Sequence, residues 1–469
     1  MHAGRLIPVV LLLSLAGASR AAESTTPLTL EELLRAALAY DGRVLAAAAE
    51  LDAYRARYDE ASRSWFPKIV LEAAFGGPVS EFRLDRTKCG DPPEQDCVWV
   101  TPGSKHGTYD FSNMSFAVGG KIEGVLPLYT FGKLSGAKDA ANAGVQAGEA
   151  GVARARQDVA LEVRRAYYGW LLATSAVDIL ADGQSKIKEA EDKLVKMLDE
   201  DNEEVSDRDL FKLRYYASQV EAMMIQARQG QEISLAALRF LTGLEDLGTD
   251  LGQGLATMEL IAEEAPTPNR AALIQRAIQI RPELRQLRAA HLASAALVGI
   301  QEASFYPDFF LTGYFKGSYS PAQEYIENSL LVSSLTNYGG GVALGMRITL
   351  DIPQKLAQLS RVRAEYSKVS AQLRQAEEAV GLEIDKRLSD LQAALANLKA
   401  MRKGQRAAKA WMNANMMDYG VGITNTRDLL DSLAAHAKSR MDMEKAGQDH
   451  LLALDQIKAA SGEDLGHCP

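Results

Sequence analysis

The chain of 469 residues carries a formal net charge of −9, which argues against a nucleic-acid partner, since such proteins present basic patches. Its histidines (His2, His106, His291, His436, His450 and His467) show no metal-ligand spacing. No Ser/His/Asp, Cys/His or phosphate-loop constellation appears, so neither enzyme chemistry nor a cofactor is expected.

Residues 1–22 have the pattern of a secretory leader: Arg5 in a short basic region, the apolar run LIPVVLLLSLAGA, then small residues. Cleavage after Ala18 and after Ala21 both satisfy the small-x-small rule. The run is too short to span a bilayer, which takes about 20 residues. With no cysteine near the cleavage site, no lipid anchor is expected. No later stretch of 18 apolar residues exists, so a place in a membrane would require a β-barrel, the other spanning solution.

Two structural repeats follow, at 23–250 and 267–463, with a linker at 251–266 and a tail at 464–469. SWFPKIVLEAAF around Pro67 returns as SFYPDFFLTGYF around Pro307, and the offset of 240 also links Leu33 to Leu273, Ala37 to Ala277 and Val44 to Leu284. VLPL at Pro127 answers TLDIP at Pro353; Arg208-Asp209-Leu210 and Gly243 return 219 residues later as Arg427-Asp428-Leu429 and Gly462.

Apolar residues at three-four spacing predict helices over roughly 42–64, 132–200, 206–242, 282–304, 355–418 and 426–460. The two longest, one running through Val145, Val159, Trp170 and Leu194 and the other from Leu356 to Met417, would each extend about 100 Å. Small residues (AANAGVQAGEAGVARA) allow close helix packing.

Four segments alternate with period two, each roughly 9–11 residues long, as a tilted membrane strand requires. Apolar Ile69, Leu71, Phe75, Phe116, Val118, Ile122, Leu311, Phe315, Val342, Leu344 and Met346 share the outward face. Glu72, Lys121, Glu123, Arg347 and Asp351 are expected on the opposite face, lining a water-filled lumen. A half-buried sheet or sandwich would also alternate, but export favours the barrel. Four strands cannot close, because the smallest membrane barrels have about eight. Chains must pool their strands, and arithmetic alone allows a dimer or a trimer.

The connection at 78–112 is the longer of the two interstrand loops and contains KCGDPPEQDC. In an oxidising compartment Cys89 and Cys97 suit a loop-closing disulfide; the alternative is two free thiols. Cys468 has no evident partner. Helix-to-helix turns near 199–207 and 418–427 end the long helices. Beyond the second turn, Asp428 and Asp431 lie three apart on one helix face. Repeated around a pore they would form an acidic, cation-favouring ring; alternatively they serve as ordinary first-turn acids favoured by the helix dipole.

Taken in order, TLEELLRAALAYDGRVLAAAAELDAYRARYDEASRSWFP, VLPLYTFGKLSGA, NRAALIQRAIQIRPELRQLRAAHLASA and YGVGITNTRDLLDSLAAHAKSRMDMEKAGQDHLLALDQIKAASG resemble the TolC family of outer-membrane channel proteins over essentially the whole mature length. The resemblance implies a homotrimer. Its 12-stranded β-barrel, set in outer-membrane lipid, continues into a periplasmic α-helical barrel. It also implies docking through a periplasmic adaptor (membrane fusion) protein to an inner-membrane RND, ABC or MFS transporter, as the passive exit duct of an efflux pump or type I secretion system. By the same resemblance Asp428, Asp431 and Tyr419 constrict the periplasmic entrance, while Val421, Gly422, Ile423 and Thr424 form an adaptor-contacting tip. Two departures stand out. Thr424 occupies the place of a gate arginine, and the first repeat has Asn202-Glu203-Glu204 in place of a valine-glycine turn, within the acids Asp199, Glu200, Asp201, Glu203 and Glu204. Glu203 and Glu204 then suit an adaptor tip carrying basic residues, or a solvated turn. The competing functions are a trimeric outer-membrane scaffold or adhesin without transport, and an exported coiled-coil protein without a barrel.

Overall fold

The structure is a computed structural model that describes residues 29–84, 107–199, 206–245, 247, 269–321, 335–420, 424 and 426–466. The first repeat contributes α1 (Leu30–Tyr40), α2 (Gly42–Ser62), β1 (Lys68–Leu84), β2 (Gly107–Tyr129), α3 (Lys133–Asp199) and α4 (Asp207–Thr242). The second gives the same series again: α5 (Arg270–Ile280), α6 (Pro282–Ala303), β3 (Asp308–Tyr319), β4 (Asn337–Arg347), α7 (Ile352–Gly420) and α8 (Thr426–Ala460).

Local sequence explains the breaks. The Thr29 hydroxyl accepts from the Glu32 amide at 3.3 Å while the Thr29 amide donates to the Glu32 carboxylate at 2.8 Å, a capping box that starts α1. Asp41 ends α1 and opens α2, its carboxylate accepting from the Arg43 amide at 2.8 Å. At the matching break Arg281 ends α5, and Pro282 takes the first position of α6. Gly243 (φ +70) and Gly462 (φ +81), related by the 219-residue offset, adopt left-handed backbone where α4 and α8 end. The 11-residue helices α1 and α5 were not among those expected from periodicity, because three turns hold too few repeats to declare a period.

α3 has 67 residues and α7 has 69, so each runs about 100 Å. The shorter helices α2 and α4 follow one another along α3, and α6 and α8 follow one another along α7. α3 also packs against α6 and α8, which gives the neighbour order α2–α3–α6–α7 beside the sheet and α4–α3–α8–α7 away from it. Small residues set the spacing: a Cβ at Gly148 of α3 would stand 3.2 Å from the Leu51 Cα of α2. The largest core cluster lies where α1, the middle of α3 and the end of α4 converge, with Leu33, Leu34, Val163, Tyr167, Trp170, Leu238 and Leu465 buried.

The strands form one antiparallel sheet in the order β1-β2-β3-β4. β1 and β2 have 17 and 23 residues, longer than expected, because their hairpin continues past the ends of β3 and β4 to the pair Leu84 and Gly107. Residues 78–84 and 107–112 of the expected 78–112 loop are therefore strand. The remaining connection, with Cys89 and Cys97, lies outside the described residues. Pro127 lies within β2, in register with Phe310, and not beyond the strand's end. β4 stops at Arg347, whose register partner Asp308 is the first residue of β3. Beyond it the ladder has no partner, so Thr349 and Asp351 are not strand residues as their alternation suggested.

Candidate functional site

Cross-strand register fixes which residues share a face of the sheet. Glu72 pairs with Lys121, Lys121 with Lys316 and Lys316 with Gly339, and two residues along Val70, Glu123, Tyr314 and Gly341 form the next row. Asp308 and Arg347, at the far end of β3 and β4, lie on the same face of the sheet as Glu72, Lys121 and Glu123. Lys121 Nζ lies 2.5 Å from Glu123, and the Arg347 guanidinium sits 5.2 Å from the Phe310 ring centre.

The opposite face is apolar throughout. Leu71, Phe75, Val342 and Leu344 are each more than 70 % exposed in the single chain, beside Ile69, Phe116, Ile122 and Phe315. A continuous exposed patch of this kind calls for an apolar medium. Aromatic residues collect where strands give way to helices. Phe131 stacks on Tyr306 with ring centres 5.0 Å apart and meets Tyr129 edge-on at 4.7 Å, while Trp65 and Phe66 lie exposed nearby in sequence.

Two lysines secure this joint, and no pattern in the sequence marks either. Lys133, first residue of α3, donates to the Tyr306 carbonyl at 3.0 Å and to Asp308 at 2.8 Å. The nearly buried Lys355 of α7 donates to the Ser304 and Thr349 carbonyls at 2.7 and 2.6 Å. Asp351 lies 3.5 Å from the same ammonium and so belongs to the joint, between β4 and α7.

At the far end of the helices, Asp428 lies in the first turn of α8, exposed, and Asp431 one turn on, half-buried and 3.9 Å from Arg427. Asn415 of α7 donates to the Asp428 carbonyl at 2.8 Å, tying the start of α8 to the end of α7. In the first repeat the matching Asp209 completes a capping box with Ser206, whose hydroxyl donates to it at 2.9 Å. Lys212 then stands where the second repeat has Asp431, 3.5 Å from Asp209. The acidic pair is thus confined to one repeat. Tyr419 has a buried hydroxyl without a hydrogen-bond partner, and Lys193 of α3 lies 5.2 Å from its ring centre. The Thr424 amide donates to the Asp418 carbonyl at 3.4 Å. Val421, Gly422, Ile423, Glu203 and Glu204 lie outside the described residues.

Midway along the bundle, buried Arg164 of α3 meets buried Asp455 of α8 at 3.3 Å, and the Tyr168 hydroxyl donates to the same carboxylate at 3.0 Å. Burial raises the Asp455 pKa and Arg164 opposes it; burial raises Tyr168 as well. No grouping of His, Cys, Asp and Glu among the described residues has metal-binding geometry.

A sheet with one apolar and one polar face, joined end-on to helices of about 100 Å, defines a membrane-anchored tunnel wall. The sequence model for outer membrane efflux proteins matches residues 33–192 and 273–463, one segment in each repeat. The chain belongs to this outer-membrane family, whose members are conduits and not enzymes. Among solved structures, the outer-membrane channel OprN superposes with a TM-score of 0.73 at 18 % identity, covering 93 % of this chain and 91 % of that one. The CmeC outer membrane channel of Campylobacter jejuni gives 0.73 at 15 % identity over 92 % and 85 % of the two chains. The outer membrane protein VceC of Vibrio cholerae gives 0.70 at 17 % over 93 % and 96 %. No curated protein sequence matches the chain.

Proposed function

We propose that the protein is the exit duct of a tripartite efflux pump or type I secretion system. Three chains close a 12-stranded outer-membrane barrel above a periplasmic helical tunnel. A periplasmic adaptor links the tunnel to an inner-membrane RND, ABC or MFS transporter, and the duct itself performs no chemistry.

One observation carries the reading: the chain is left open along the same two flanks from end to end. β1 and β4 are the sheet edges, continuous in sequence with α2 and α7, the outermost helices of the neighbour order beside the sheet. Open strand edges are not tolerated in lipid. Below the sheet, α4 shows Phe211, Tyr215, Ile225, Ile233 and Phe240, all above 60 % exposed, and α7 shows Leu356, Leu382 and Trp411. Because β1 and β4 run in opposite directions, the β4 edge of one copy meets the β1 edge of the next in antiparallel fashion. Repetition of that head-to-tail contact makes a ring, and the same rotation brings α7 of one copy to α2 and α4 of the next.

In this reading Glu72, Lys121, Glu123 and Arg347 face the barrel lumen, and Asp428, Asp431 and Tyr419 surround the periplasmic entrance. The tip residues Val421–Thr424, with Glu203 and Glu204, receive the adaptor. The test is single-channel recording of the purified protein in planar bilayers, wild type against Asp428→Ala/Asp431→Ala. Cation-selective openings that widen or lose selectivity in the variant are expected. Insertion without conductance would favour a sealed scaffold and refute the duct.

A further inference from the structure

Along α8, Leu429, His436, Met443, His450 and Ile457 recur every seven residues, the spacing of one seam of a coiled coil. Leu429 and Ile457 are buried, and so are both imidazoles, His436 at 7 % exposure and His450 at 2 %. Neither imidazole Nδ1 has a hydrogen-bond partner. A seam position ordinarily holds an apolar residue, and two polar rings with an orphaned nitrogen each are costly there.

The surroundings amplify the effect of a proton. His436 borders a cavity of about 60 Å³ where α3, α4, α7 and α8 meet, lined also by Ile187, Tyr216, Met412 and Leu430. The charged groups facing it are Asp182 and Lys186 from α3, Lys409 from α7 and Arg440 from its own helix. Asp182, the single acid among them, is already engaged by Lys186 at 2.8 Å and Arg440 at 3.4 Å. The charged group facing His450 is Arg402 of α7. A proton on either ring therefore becomes a buried cation among cations. Burial first, then Arg440, Lys186 and Lys409 against the opposing pull of Asp182, lower the His436 pKa, and burial followed by Arg402 lowers that of His450.

We propose that His436 and His450 form an acid-sensitive seam that holds α8 against α3 and α7 near neutral pH and releases it when the medium turns acid. The sign follows from linkage. Above about pH 6.5 packed and released states are both neutral, and no penalty arises. Below it the released state takes up protons that the packed state resists, so packing is lost as pH falls from 6.5 toward the lowered values.

The test reads α8 itself and stands whether or not the protein conducts. Backbone hydrogen exchange of the purified full-length protein in detergent micelles is measured at pH 7.5 and 5.5, normalised for intrinsic exchange rates. The wild type is compared with His436→Leu/His450→Leu, which gives both seam positions an apolar side chain. Opening across 429–457 should rise about tenfold or more at pH 5.5 in the wild type, with α2 unchanged and the variant insensitive. An equal rise in both proteins, or none in the wild type, overturns the proposal. Should the variant fail to fold, NMR titration of the wild-type imidazoles decides: midpoints below about 6.5 support the seam, and midpoints at or above it refute it.

Discussion

Val342 and Ala343 are neighbours on β4 that point to opposite sides of the sheet, which makes them a sharp test of the face assignment. Val342 is 75 % exposed on the apolar face, beyond Gly313 and near the middle of the strand; Ala343 shares the polar face with Thr312. An arginine on the lipid face of a membrane barrel costs about 2–4 kcal/mol near the bilayer midplane and little toward the lumen. At about 1.4 kcal/mol per decade, Val342→Arg should lower the insertion equilibrium by roughly 30- to 1,000-fold per chain, and Ala343→Arg should leave it within a few-fold. Urea-dependent folding into phosphatidylcholine vesicles, read by heat-modifiable migration on gels, measures both. Equal tolerance of the two arginines, or greater harm from Ala343→Arg, would refute the lipid-and-lumen assignment.

Asp455→Ala takes from buried Arg164 the carboxylate that lies 3.3 Å away, leaving the Leu465 carbonyl at 3.1 Å, and should cost about 3–5 kcal/mol in a denaturant titration. Asp41 has its pKa lowered chiefly by the Arg43 side-chain hydrogen bond. A depressed acid contributes stability above its unfolded value of 3.8 and loses it as pH falls through the lowered value. Asp41→Asn should accordingly be less stable than wild type at pH 7, and the gap should narrow as pH falls below 3.8; a gap that did not narrow would assign the loss to the helix break itself.

The tandem repeat, the long helices and the alternation of the strands were legible because each rests on periodicity or on punctuation by proline and glycine. Pro67 and Pro307 mark the helix-to-strand passage in both repeats, and Gly243 and Gly462 mark the ends of α4 and α8. Strand ends were less legible, since they depend on partners: β4 stops where β3 begins, although Ile348 and Leu350 continue the alternation. The lysine anchors of the joint were hidden for the same reason. The Lys133 acceptors lie more than 170 residues away. At the tip, the spacing of Asp428 and Asp431 was visible, but the approach of Lys193 to Tyr419, from a helix of the other repeat, was not.

The repeats differ most instructively where they should be most alike. At the break before α2, Asp41 is followed by Arg43, which reaches Glu162 of α3 at 2.7 Å. At the break before α6, 240 residues on, the order is inverted: Arg281 itself reaches Glu383 of α7 at 2.7 Å, and Glu283 follows. Either arrangement places one guanidinium between a helix break and an acid on the long helix, so the physical requirement is a bridging cation and not a fixed residue order. Exchange of the two side chains should therefore be tolerated better than either replacement alone. Arg43→Glu puts three acids together without the bridging guanidinium, and Asp41→Arg places two cations against Glu162; the double variant restores the arrangement seen in the second repeat. Arg43 and Glu162 are nearly half exposed, which limits the expected favourable coupling to about 1 kcal/mol in a double-mutant cycle on denaturant stability. Strictly additive costs would show that each break depends on its own local geometry and that the inverted charges are unconnected.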